Sequence, residues 1–175
     1  MRLWSFQYKE SVEELHQNGI LTAQWSRYPS EGLSGKWKTA YQWIVRQMEL
    51  KSIDCGEYAP IWAFHSCMRY RRKPDKNDGT MLSFGYESEE GAQLLTFDCP
   101  DELVLLSDYG AWNKILDIFL ETEAKEISPN LTQKLYDLPN SETMDGENIQ
   151  ATIPFLKKEW LIEAEPFESL KENAL

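Results

Sequence analysis

The sequence predicts a single α+β domain, a mostly antiparallel sheet with helices packed on it. Three observations lead there. Residues 3–8 and 80–87 alternate with the two-residue period of strands, and residues 36–51 and 107–120 repeat with the period of helices. The predicted order is strand, helix, helix, strand, hairpin, helix, strand, without the regular alternation of a doubly wound parallel sheet. At 175 residues, 42% of them apolar, the chain has the length and core of one domain.

Leu3 to Tyr8, with Trp4, Phe6 and Tyr8 alternating, reads as the first strand. Ser11 and Glu14 have capping-box spacing for a short helix with Val12 and Leu15 on its apolar face, stopped by Asn18-Gly19. Ile20 to Ala23 reads as a short extended piece and residues 26–36 as a loop. Trp37, Ala40, Tyr41, Ile44, Val45 and Met48 then form one helical stripe, broken at Asp54-Cys55-Gly56. Trp43 falls off that stripe, which suggests a cleft or contact position.

Ala59 to Phe64 is dense enough in apolar and aromatic residues for a strand buried on both faces. Thr80 to Glu87 and Ala92 to Asp98 read as a hairpin, and Leu103 to Leu106 as a short strand or edge. Asp108, after Ser107, is placed to cap a helix carrying Trp112, Ile115, Leu116, Phe119 and Leu120. Residues 121–147 read as an irregular acidic excursion or short helical pieces, Asn148 to Ile153 as a late strand, and Trp160 to Ala164 as an extended return. The globular domain is expected over residues 1–165, with a frayed tail over 166–175.

Composition narrows the function classes. The net charge of −11 disfavours bulk nucleic-acid binding. The mean hydropathy is −0.54 and no apolar run approaches the ~20 residues of a membrane span, so no membrane association is expected. Three cysteines without CxxC spacing, and the lack of a secretory signal, suggest reduced thiols in a cytoplasmic protein. His65-Ser66-Cys67 is the only close His/Cys pair, so neither a metal site nor a cofactor is expected.

No strong catalytic motif stands in the chain, and the catalytic residues stay unknown. Residues 69–76 form a locally basic run, either a solvated loop or an anion site. Within it, Asp75 is placed to orient Arg71 or Arg72. His65 lies between a buried strand and this run; it is either a working histidine or a strand-end residue with one hydrogen bond. Trp62 stands one strand away from the basic run. An aromatic platform beside guanidinium groups suits a planar phosphorylated ligand; the same rings also read as an ordinary aromatic core.

Several segments in one order carry a family resemblance. They are Leu3-Trp4-Ser5-Phe6-Gln7, the helix from Tyr41-Gln42-Trp43 to Gln47-Met48, Tyr58 to Phe64, Arg72-Lys73-Pro74-Asp75, and Leu105 to Trp112. Together they resemble a bacterial family of unknown function whose members begin with LWT-[IF]-Q and carry PIWAW and KPDLR. Here Lys76-Asn77 replaces the Leu-Arg usual after Pro-Asp. More distantly, the opening strand, the capped helix and the late strand with its WLIEA return resemble the ADP-ribosyltransferase layout. That resemblance implies an early-strand His or Arg that holds NAD and a late Glu that polarises the ribose. Ser5 and Gln150 stand near those places, and neither keeps that chemistry, so the implied cleft is degenerate.

Two functional readings follow. One is a nucleotide- or phosphorylated-ligand-binding protein whose site draws on Gln7, Trp62, His65, Arg72, Asp75 and Gln150. The other is a non-enzymatic interaction or regulatory protein, a homodimer or the partner of another protein, using Trp25 or Trp43 in an exposed apolar patch.

Overall fold

The computed structural model describes residues 1–28, 32–68, 70–75, 78, 92–122, 124–138 and 148–167. Their elements are β1 (Arg2–Gln7), α1 (Lys9–Asn18), β2 (Ile20–Leu21), α2 (Gly32–Leu50), β3 (Ile61–Ser66), β4 (Gln93–Asp98), β5 (Leu105–Asp108), α3 (Tyr109–Glu121), α4 (Pro129–Tyr136), β6 (Ile149–Ile153), β7 (Leu156–Lys157) and β8 (Leu161–Pro166). One six-stranded sheet runs β5-β6-β3-β1-β4-β8, with every neighbouring pair antiparallel, and β2 pairs with β7 beside it. The fold is α+β. No helix among the described residues is long and apolar enough to cross a membrane.

The period-two pattern sends side chains to two different cores. On one face Leu3, Ile61, Ala63, Leu95, Phe97, Ala151 and Ile153 pack with Val12 and Leu15 of α1 and with Leu21 and Leu156 of the small pair. The other face is divided. Toward β5, Leu105 and half-buried Trp62 meet Ala40, Trp43, Ile44 and Met48 of α2, Trp112, Ile115 and Phe119 of α3, and Leu135 of α4. Toward β4, Trp4, Phe6, Phe64 and Leu94 form a separate cluster.

Local chemistry sets the helix ends. Gly19 turns left-handed at φ 76° and its N–H donates to Leu15 O at 2.9 Å, closing α1 as the Asn-Gly signal predicts. Asp108 caps α3 by accepting from Ala111 N at 2.6 Å. Ser128 and Pro129 start α4, inside the segment expected to be irregular or only briefly helical. Residues 80–91 of the expected hairpin and 139–147 of the acidic excursion lie outside the described residues.

Three local expectations need correction. Helix α1 begins at Lys9 after Tyr8, so Ser11 is a buried helical residue and forms no capping box with Glu14. Helix α2 starts at Gly32, in the stretch expected to be a loop. Its first turns are held by Lys36 Nζ, which donates to Leu120 O at the far end of α3 (2.7 Å). Trp43 is neither a cleft nor a contact residue. It is 1% exposed, its ring 6.2 Å from Phe119, because α2 is covered by α3 as well as by the sheet and so buries more than one stripe.

Trp43→Ala is expected to cost about 3–5 kcal/mol in urea unfolding, against about 1 kcal/mol for loss of the α3 cap in Asp108→Ala. A Trp43 variant as stable as the native chain would contradict this packing.

Candidate functional site

Where the two clusters on the divided face fail to meet, a cavity of about 390 Å³ opens at the end of the sheet where β1 finishes and β3 begins. That volume is in the range of small-molecule sites. The antiparallel register builds its floor: Phe64 lies opposite Gln150 and Trp62 opposite Thr152, so Trp62, Phe64 and Gln150 share one face. Phe6, Gln7 and Tyr8 line it from the end of β1, Ser11 from α1, and Arg27 and Tyr28 from the turn before α2. Trp37 and Tyr41 contribute from α2, and Tyr109, Trp112 and Asn113 from α3.

The rings form a connected wall. Trp62 lies 4.7 Å from Trp112 with their planes 36° apart, and Tyr41 sits 5.2 Å from Trp62. Tyr28 and Trp37 reach Tyr41 edge-on at 5.3 and 5.9 Å. Burial pushes the Tyr28 phenol up, against the opposing pull of Arg27, so it stays protonated. Arg27 brings the one cation among the described lining residues, and that lining contains no carboxylate. Its guanidinium sits 3.5 Å from Glu14 in an exposed pair.

Two polar groups of the lining residues are left unsatisfied. Trp62 Nε1 and Gln150 Nε2 are buried with no hydrogen-bond partner, and Gln150 is only 3% exposed. Each such group costs about 1–3 kcal/mol in a fold that offers it nothing. Gln7 is tied in place: its Nε2 donates to Ser5 Oγ at 2.8 Å, and Ser5 Oγ donates to Trp62 O at 2.7 Å.

Among the residues singled out from sequence, Gln7, Trp62 and Gln150 therefore line one hollow, and His65, Arg72 and Asp75 do not. Arg72 forms a bidentate pair with Asp78 at 2.6 and 3.0 Å and reaches Asp75 only at 3.4 Å. Asp78 is 3% exposed and also accepts from Asp75 N at 2.7 Å. The neighbouring cations are engaged too. Arg71 donates to His65 O and Arg2 O, and Lys73 binds Glu163 and Glu165 on the edge strand at 2.9 and 2.8 Å. This segment pins a loop to the sheet edge. His65 Nδ1 shares a 2.7 Å hydrogen bond with Ser66 Oγ, and burial, followed by the charge of Arg71, lowers its pKa to about 4.

The family model "Domain of unknown function (DUF3841)" matches residues 2–160. The chain belongs to the DUF3841 family. No curated protein and no solved structure matches it. The matched span includes every described residue that lines the cavity in this DUF3841 chain.

Sequence reasoning passed over Arg27, Tyr28, Tyr41 and Asn113. The available signal was Trp37 and Tyr41, four residues apart on the stripe of α2, which reads equally well as core.

Two outcomes are expected. Arg72→Met lowers the melting temperature, because it leaves Asp78 buried without its cation, and leaves any ligand affinity of the folded protein unchanged. His65 titrates near 6.5 in the unfolded chain and near 4 in the fold. The unfolded state therefore binds more protons between those values. This contribution to stability is fully present above pH 6.5 and is lost as the pH falls toward 4. Urea midpoints across that window should fall less steeply in His65→Asn than in the native chain, and equal slopes would refute the assignment.

Proposed function

We propose that this chain binds a planar, phosphorylated small molecule of the nucleotide class in the aromatic cavity. The observation that carries the reading is the wall of rings that Trp62, Trp112 and Tyr41 form along one hollow of about 390 Å³. A planar ring would insert along the aromatic wall, gaining dispersion and stacking contacts. The Gln7, Asn113 and Gln150 amides supply both donors and acceptors to its edge. Arg27, at the rim, attracts an anionic group and would exchange Glu14 for it. The basic run at 69–76 is not needed for this, because each described cation in it already has a protein partner.

A reading as an interaction protein draws less support. Among the described residues, the large exposed apolar side chains are Tyr8 after β1, Ile20 on β2, Leu33 and Leu50 near opposite ends of α2, Met68 and Tyr70 after β3, and Ile162 on β8. Single exposed apolar residues are ordinary on a soluble surface.

The test is a melting and tryptophan-fluorescence panel of GMP, AMP, UMP and NAD. At a hundred times Kd a ligand adds about 2.7 kcal/mol to stability. At least one should raise the melting temperature and change the emission. Arg27→Gln should weaken binding of that nucleotide more than binding of its nucleoside. A panel without any shift would remove the proposal.

A further inference from the structure

We infer that the N-terminus of α1, with Ser11 and Arg27, is the phosphate end of the cavity and holds the terminal phosphate of a nucleotide whose base lies on the aromatic wall. The inference rests on the reading of the cavity as a nucleotide site and adds where the anionic group is held. It starts from the way α1 begins. Gln7, the N-cap residue Tyr8 and Ser11 all line the cavity, so the hollow meets the first turn of this 10-residue helix. Tyr8 supplies no side-chain cap, and the Val12 N–H donates to Tyr8 O at 3.2 Å. The N–H groups of Lys9, Glu10 and Ser11 have no acceptor among the described residues, and they stand at the positive end of the helix dipole. That end of a helix suits a phosphate.

Ser11 points to a ligand independently. It is 3% exposed, yet its hydroxyl has no hydrogen-bond partner among the described residues. Other helical hydroxyls in this chain bond back to the carbonyl four residues earlier, Thr39 to Gly35 O at 2.9 Å and Thr132 to Ser128 O at 3.1 Å. Ser11 makes no such bond. Nor is its oxygen sealed inside the protein, as those of Thr96 and Ser107 are. Ser11 is a lining residue with almost no other exposure, so its hydroxyl opens on the hollow. Side chains tilt toward the N-terminus of their helix, which carries this hydroxyl to the side of the free N–H groups.

The cation stands beside the same face. Ser11 and Glu14 are neighbours one turn apart on α1, and the Arg27 guanidinium reaches Glu14 at 3.5 Å. Tyr28, buried at the same mouth, lies close enough to Arg27 and to Tyr8 for each to perturb its phenol. The other acids of α1 face elsewhere: Glu10 and Glu13 are exposed and outside the lining, Glu13 lying 3.9 Å from Lys9. The groups gathered here can all donate: a hydroxyl, backbone N–H groups and a guanidinium. A phosphate monoester answers them with about −1.5 to −2 charge and three acceptor oxygens.

The experiment records amide proton–nitrogen spectra and calorimetry of the labelled full chain. GMP, AMP or UMP is added, or the matching nucleoside, or inorganic phosphate. A nucleotide that binds should move the Glu10 and Ser11 amide signals, and its nucleoside should move them far less. Ser11→Ala should raise the Kd of that nucleotide about tenfold, the effect of losing a hydrogen bond to a charged group, and leave the nucleoside within about twofold. If that variant does not fold, the amide signals of the native chain decide the matter. A nucleoside that binds as tightly as its nucleotide overturns the inference and leaves the aromatic cavity as a base site. Stationary Glu10 and Ser11 amides at saturating nucleotide do the same. Inorganic phosphate binding as tightly as the nucleotide also overturns it, because the wall would then hold nothing. Failure of every nucleotide and nucleoside to bind would remove both the phosphate end and the site it rests on.

Discussion

The central strand β3 is paired along both edges, to β1 with Trp4 opposite Phe64 and to β6 with Phe64 opposite Gln150. Period-two alternation then leaves no choice of face. Ile61 and Ala63 go to the core under α1, and Trp62 and Phe64 go to the side of the long helices. A slip of one residue would carry Trp62 into the packed space beside Leu3 and Leu95, and Ile61 to the face of the long helices. The hydrophobic pattern on both faces forbids that slip. The positions of the indole and amide donors are therefore consequences of the register that stabilises the sheet.

The cavity follows from the same arrangement. Helices α2 and α3 cover the β5 side of the sheet, and Trp4, Phe6 and Phe64 fill the β4 side; the two clusters stop short of each other. Large aromatic rings bridge part of the gap from Tyr28 through Tyr41 to Trp62 and Trp112. A core optimised for stability alone would fill such a hollow and leave no donor unmatched. Local conflict of this kind in an otherwise consistent fold is where function is expected.

Much of the fold was legible because apolar periodicity is a local signal. β1, β3, β6 and the stripes of α2 and α3 could be read from their own residues. What escaped depended on other elements. The first turns of α2 contain Gly32 and Gly35, poor helix formers, and they rest on a lysine reaching the end of α3. Trp43 looked off-face because the packing of α3 is invisible from within α2. The same limit applied to the site. Gln7, Trp62 and Gln150 could be selected as polar or aromatic residues on neighbouring strands. The basic run, however, looked free only because Asp78 and the glutamates of β8 were out of view. Arg27, a single cation in a loop, carried no pattern at all.

The proposed use of the hollow turns on one side chain, the indole of Trp62. The chain has seven tryptophans, each giving one indole N–H signal. Proton–nitrogen correlation spectra of the labelled chain, recorded as GMP is added, follow each of them. The Trp62 signal should move furthest, with Trp112 next and Trp160, on the far side of the sheet's core, unmoved. A stationary Trp62 signal at saturating GMP would contradict the central claim.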